Sequence, residues 1–224
     1  RRLPAGYAMH FYSNGRLPAT AFTVEAMQQQ FSSFAVLEQG ITEQRELMDK
    51  FDPSKRVGLM VDEWGVWDQM VAAEQQKYGR LWQQITMRCA VAAALGLNVF
   101  HRQADKLVMC NIAQIVNVLH SLLLTHEDHC VRTPTYHAFA LLKPHRGKTA
   151  VQVANEDKGP VGLSVSASRE GEQLVVTLVN PKHDTTMNVD CSVAGKTLGG
   201  ASARLLHHPD LNACNTFEVD GSQL

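Results

Sequence analysis

The chain has 224 residues, 45% hydrophobic and 19% charged, which is too apolar for a disordered polymer and suits one large or two small domains. Its 21 basic and 22 acidic residues leave a net charge of -1, so no charge excess recommends nucleic acid or an anionic membrane surface as a partner. No run approaches the roughly 18 uninterrupted apolar residues of a membrane span. The five cysteines form no C-x-x-C pair, which reads as reduced thiols in a reducing compartment rather than a disulfide framework.

Tyr7 to Tyr12 is a short apolar strand closed by the turn residues Ser13-Asn14-Gly15. Thr23 to Lys50 has helical spacing, with Thr23 as N-cap, a weak point or break at Gly40, and a stop at Phe51-Asp52-Pro53-Ser54 because proline cannot continue a helix. Arg56 to Trp64 contains the continuous apolar run of a strand buried on both faces. Tyr78 to Asn98 reads as one long Ala- and Leu-rich helix, Lys106 to Cys110 as a third strand, and Gln114 to Leu124 as a helix broken by Thr125-His126-Glu127-Asp128. Tyr136 to Lys143 reads as a final amphipathic turn or two.

Helical spacing disappears beyond Gly147. Leu163 to Ser168, Leu174 to Asn180, Met187 to Val193 and Ala201 to Leu206 alternate or run apolar in the manner of antiparallel strands, with a turn at Gly171-Glu172-Gln173. The expected fold is therefore α/β followed by all-β: residues 1–147 as part of a (β/α)₈ barrel, and residues 148–224 as an antiparallel, jelly-roll-like β-sandwich domain. Three β/α units cannot close a barrel, which needs about 250 residues. The chain also opens on Arg1-Arg2-Leu3-Pro4 without Met. We therefore expect a C-terminal piece of a longer polypeptide.

The sharpest chemical feature is Asp62-Glu63-Trp64-Gly65-Val66-Trp67. It places two carboxylates at the end of an apolar strand, where barrel enzymes carry their chemistry. Strand alternation would point Asp62 and Glu63 to opposite sides. The plainer reading is a loop carboxylate beside structural tryptophans. His10 and Tyr12 share a face at the end of the first strand, where a phenol could hold a carboxylate ionised; the alternative is a buried pair satisfied by backbone. Asn111 to Gln114 offers amides for sugar hydroxyls or a helix cap. His120, His126, His129, His207 and His208 show no H-E-x-x-H and no zinc spacing, and no nucleotide-binding or nucleophile-elbow motif occurs. Neither a metal nor a cofactor is expected.

The ordered set Met60 to Trp67, Leu81-Trp82-Gln83-Gln84, Asn98-Val99-Phe100-His101-Arg102, Val108 to Asn117 and Thr133-Pro134-Thr135-Tyr136 closely resembles the α-L-arabinofuranosidases of glycoside hydrolase family 51. The resemblance covers residues 7–145, and Leu163 to Asn180 resembles the family's C-terminal sandwich more loosely. It implies a retaining, exo-acting glycosidase that removes terminal arabinofuranosyl residues from arabinan- or arabinoxylan-type saccharides. By resemblance, Glu63 is the nucleophile, Tyr12 orients it, and His10, Trp67 and Gln114 contact the sugar. The family's acid/base glutamate lies in a Gly-Asn-Glu motif that this sequence does not contain, so the chain would hold the nucleophile half of a site. The resemblance also implies a homo-oligomer, and the unpaired cysteines point to the cytoplasm as the compartment. The competing readings are a xylosidase or endoglucanase specificity on the same scaffold, and a non-catalytic carbohydrate-binding or assembly fragment.

Overall fold

A computed structural model describes residues 5–13, 16–155, 157 and 161–218. The turn residues Asn14 and Gly15 and both chain ends lie outside the described residues. Three strands, β1 (Gly6–Ser13), β2 (Gly58–Val66) and β3 (Leu107–Ile112), form a parallel sheet in the order β1-β2-β3. In β2, Leu59, Val61, Trp64 and Val66 are buried, whereas Met60 between them is only partly so; one face of the strand is covered, and the burial on both faces expected of its apolar run is not reached.

Helix α1 (Val24–Phe51) connects β1 to β2. The Thr23 hydroxyl accepts the Ala26 amide at 3.2 Å, so the expected N-cap is present. Helix α1 passes through Gly40 without a break, contrary to the sequence expectation. A mid-helix glycine costs about 1 kcal/mol, whereas each large side chain buried by this helix contributes about 1.5–3 kcal/mol. Met27, Phe31, Phe34, Leu37 and Ile41 are all buried along one stripe. At the far end, the Asp52 carboxylate accepts the Val57 amide at 2.7 Å and Arg45 donates to the Val57 carbonyl at 3.0 Å. These bonds aim the chain into β2.

The helix expected over 78–98 starts only at Met87: α3 (Met87–Arg102) follows an irregular stretch, and a separate short helix, α2 (Ala72–Tyr78), precedes that stretch. Gly79 there has φ 114° and Leu81 φ 62°, neither of which a helix can contain. The expected helix over 114–124 is likewise absent. That segment is a loop leading into a hairpin of β4 (Leu123–His126) and β5 (His129–Arg132). Asn117 explains part of this, because its amide donates to Thr125 O and Oγ1 at 2.9 Å and accepts the Thr125 amide at 2.7 Å. Side-chain bonds of this kind compete with helix formation. Helix α4 (Pro134–Leu142) follows, capped by Thr133 and opening on proline at its first turn.

Beyond it, β6 (Thr149–Val151), β7 (Ser164–Glu170) and β8 (Gln173–Val179) form an antiparallel sheet, with Gly171 in the left-handed region at the β7–β8 turn. Strand β6 was not anticipated. The strands expected over 187–193 and 201–206 do not form; that region holds an isolated bridge between Val193 and Lys196. Val189, Leu198 and Leu205 are exposed while Leu206 packs against the core, so the alternation there has no partner strand and covers the core at a single point. Helix α3 packs against both sheets. Among the described residues, no helix is long and apolar enough to cross a membrane.

Candidate active site

Because β1 and β2 are parallel, the C-terminal halves of both arrive at the same edge of the sheet. The register runs Met9 to Val61 and then His10 to Glu63, so β2 carries one extra residue, Asp62. Such a bulge redirects the side chains that follow it. It corrects the expectation that Asp62 and Glu63 face apart. His10 Nε2 lies 3.3 Å from Asp62 Oδ1, and His10 Nδ1 lies 2.8 Å from Glu63 Oε2. One imidazole therefore bridges the two carboxylates.

Tyr12, two residues beyond His10 on the same face, donates its phenolic hydrogen to Glu63 Oε1 at 2.5 Å. Burial, then the hydrogen bond and negative charge of Glu63, push the Tyr12 phenol well above its ordinary range. Tyr12 thus remains a donor across the working pH range. The Glu63 side chain is 34% exposed, so the carboxylate stays reachable from solvent while both of its oxygens are engaged.

Trp67, just past the end of β2, meets the Tyr12 ring edge-on, with centroids 5.0 Å apart and planes at 72°. The Arg16 guanidinium lies 5.4 Å from the Trp67 ring. Gln114 is an exposed residue just past β3, and the neighbouring Ala113 amide is tied to the Trp64 carbonyl of β2 at 2.9 Å. The Ala113–Gln114 peptide bond is cis. The structure therefore gathers His10, Tyr12, Glu63 and Trp67 into one contact set, with Gln114 on the adjoining strand end. Among the described residues, no group of three or more His, Cys, Asp or Glu is arranged to hold a metal ion.

The sequence profile of the α-L-arabinofuranosidase C-terminal domain matches residues 62–221. An intracellular exo-α-L-arabinofuranosidase from Bacteroides ovatus is 30% identical over 228 residues, covering 95% of this chain and 44% of that protein. The chain belongs to the α-L-arabinofuranosidases of glycoside hydrolase family 51.

The crystal structure of the family 51 arabinofuranosidase from Xanthomonas axonopodis pv. citri superposes with a TM-score of 0.71 at 35% identity, over 81% of this chain and 39% of that one. The family 51 enzyme from Bifidobacterium longum shares the fold, with a TM-score of 0.70 at 20% identity over 94% of this chain and 46% of its own. This chain thus spans less than half the length of these relatives and corresponds to their C-terminal portion.

Three residues in or behind this candidate site have roles that sequence reasoning does not reach. The bridging role of Asp62 depends on a bulge that no local pattern announces. Arg16 sits in a turn at φ 39°, where sequence offers no clue to its target. His120 was considered as a metal ligand, but it is fully buried and takes part in backbone hydrogen bonding: the Val66 amide donates to its Nδ1 at 3.0 Å, and Nε2 lies 2.9 Å from the Cys89 carbonyl. Burial holds its imidazole neutral, down to about 3.

Proposed function

We propose that the whole protein is a retaining, exo-acting α-L-arabinofuranosidase, in which Glu63 attacks the anomeric carbon of a terminal arabinofuranosyl residue. The observation that carries this reading is the Tyr12–Glu63 hydrogen bond at the ends of two adjacent parallel strands, walled by Trp67. As the Glu63–carbon bond forms, the glycosidic C–O bond breaks and an acid elsewhere on the polypeptide protonates the leaving oxygen. Water then hydrolyses the covalent arabinosyl-enzyme, with that second residue acting as base. The two carboxyls would stand about 5–5.5 Å apart. Tyr12 donates to Oε1 and orients Glu63; His10 Nδ1 stands at Oε2, and that contact gives way to the anomeric carbon as the bond forms. His10 and Gln114 bond sugar hydroxyls, and Trp67 supplies an apolar wall.

The same reading assigns residues 1–147 to the last units of a (β/α)₈ barrel and residues 148–224 to part of a β-sandwich. The parallel β1-β2-β3 order and the antiparallel β6–β8 sheet support it. The substrate is an arabinose-containing oligo- or polysaccharide of the arabinan or arabinoxylan type. The protein works as a cytoplasmic homo-oligomer, in line with the Bacteroides relative being named intracellular.

The test is Glu63→Ala in the full-length protein, assayed with 4-nitrophenyl α-L-arabinofuranoside. Turnover falls by about four orders of magnitude or more, and azide restores part of it with inverted configuration. Near-normal turnover in Glu63→Ala overturns the assignment. Preference for a nitrophenyl xyloside would move the specificity, and an inert full-length protein would favour the carbohydrate-binding reading.

A further inference from the structure

The main chain on either side of Trp67 is tied to side chains that never meet solvent. Before Trp67, the Val66 amide donates to His120 Nδ1 at 3.0 Å, and the Val66 carbonyl accepts from Gln83 Nε2 at 3.2 Å. After it, the Asp68 amide donates to Gln83 Oε1 at 2.9 Å, and the Asp68 carboxylate is held by Arg88 at 3.1 and 2.5 Å. Arg88 also donates to Gln30 Oε1 at 2.5 Å. Gln30, Asp68, Gln83, Arg88 and His120 are all buried, none more than 1% exposed. His120 is itself fixed, by its amide to the Ala113 carbonyl at 2.7 Å and by Nε2 against the Cys89 carbonyl. Its ring packs so closely that a Cβ on Gly65 would stand 2.7 Å from the His120 Cβ.

Sinking an ion pair, two amides and an imidazole into a core is expensive, and apolar residues of similar size often give an equally stable fold. Here the cost falls on three consecutive residues, and the side chain in the middle of them is the tryptophan that abuts Tyr12. We propose that His120, Gln83 and the Arg88–Asp68 pair are positioning residues: a buried bracket that fixes the Val66–Asp68 backbone, and through it the angle at which the Trp67 indole meets Tyr12 beside Glu63. This inference rests on the proposed roles of Glu63 and Trp67. The bracket touches no substrate. It acts by denying Trp67 the small rotations that would tilt the Tyr12 hydroxyl off Glu63 and loosen the sugar wall, and misplacements of about 1 Å can cost about a hundredfold in rate.

The experiment compares His120→Leu with His120→Asn in the full-length enzyme on 4-nitrophenyl α-L-arabinofuranoside. Asparagine places an oxygen near the position of Nδ1 and keeps an acceptor for the Val66 amide, whereas leucine removes it. Leucine lowers kcat about tenfold to a hundredfold with KM little changed, and asparagine recovers most of the loss. In 5-fluorotryptophan-labelled protein, the ¹⁹F resonance that Trp67→Phe deletes shifts or broadens in His120→Leu and returns in His120→Asn. Thermal melts of both variants establish that the assay reads folded protein. Should His120→Leu not fold, Gln83→Met loosens the same segment from its other side and is held to the same kinetic and ¹⁹F outcomes. Wild-type kcat and an unmoved Trp67 resonance in a folded variant overturn the proposal. Glu63→Ala, run in parallel, separates the two readings: if it is inactive while His120→Leu is normal, only the bracket falls, and if it is active, the assignment of Glu63 falls and takes the bracket with it.

Discussion

The parallel sheet β1–β2–β3 and the antiparallel sheet β6–β7–β8 lie against the same helix, α3, and both bring histidines to their polar contacts, with opposite results. On the parallel sheet, His10 sits at a strand end, exposed, with a carboxylate at each ring nitrogen. At the antiparallel sheet, the polar groups face inward. Asn98 on α3 bonds Ser164 and Ser166, His101 meets Ser166 at 3.1 Å, and His145 lies 2.7 Å from both Ser168 and Thr177. The His101 and His145 rings lie with centroids 4.5 Å apart and planes tilted by 39°. Burial, then the neighbouring His145 and Arg102, lower His101 to about 4; burial, then Lys148, lower His145. Residue type does not separate a candidate site from an internal seam. What separates them is whether the fold leaves the polar face open, as parallel strand ends do, or closes it with a helix.

That contrast can be broken at several points. The largest effect is expected from Arg88→Ala, which strands the buried Asp68 carboxylate. Breaking one side of a buried pair costs about 3–5 kcal/mol, readable as a lower denaturant midpoint of the whole protein; a loss under about 1 kcal/mol would mean that the parallel layer does not depend on this pair. Tyr12→Phe comes next. Without the phenol that orients Glu63, kcat on 4-nitrophenyl α-L-arabinofuranoside should fall roughly ten- to a hundredfold, by more than the accompanying loss of stability. An equal loss of stability would make Tyr12 a packing residue instead.

The smallest effect tests the seam. His101 and His145 stay neutral in the folded chain, while in the unfolded chain they take up protons near the ordinary histidine value of 6.5. Between about pH 6.5 and 4 the unfolded state therefore binds more protons, the slope of stability against pH is positive, and stability is lost on acidification. The melting temperature should fall through that window, and replacing both residues by asparagine should flatten the fall. An unchanged slope in the double variant would dissociate the seam from acid sensitivity.

Much of the parallel layer was legible because its signals are local and redundant. Thr23 caps the helix it precedes, Pro53 stops it, and Val57 to Val61 is apolar enough to mark a strand, although only one of its faces is fully buried. The tail failed for the converse reason: Met187 to Val193 alternates, but alternation names a face and supplies no neighbouring edge, so no strand forms. Between these extremes, Leu81 to Thr86 and Gln114 to Leu122 look helical because apolar residues recur, yet side chains within them are committed to a distant backbone. Gln83 serves Val66 and Asp68, and His120 serves Val66 across 54 positions.

From its sequence alone, this chain's family, its parallel strands and the strand ends bearing His10, Tyr12 and Glu63 could be named, since each rests on neighbours within a few residues. Tertiary structure alone decided that Asp62 is an extra residue in β2, that both carboxylates therefore meet His10, and that buried polar side chains grip the backbone around Trp67. Register between strands and hydrogen bonds across the core depend on where remote segments come to lie, and one-dimensional periodicity carries no record of that.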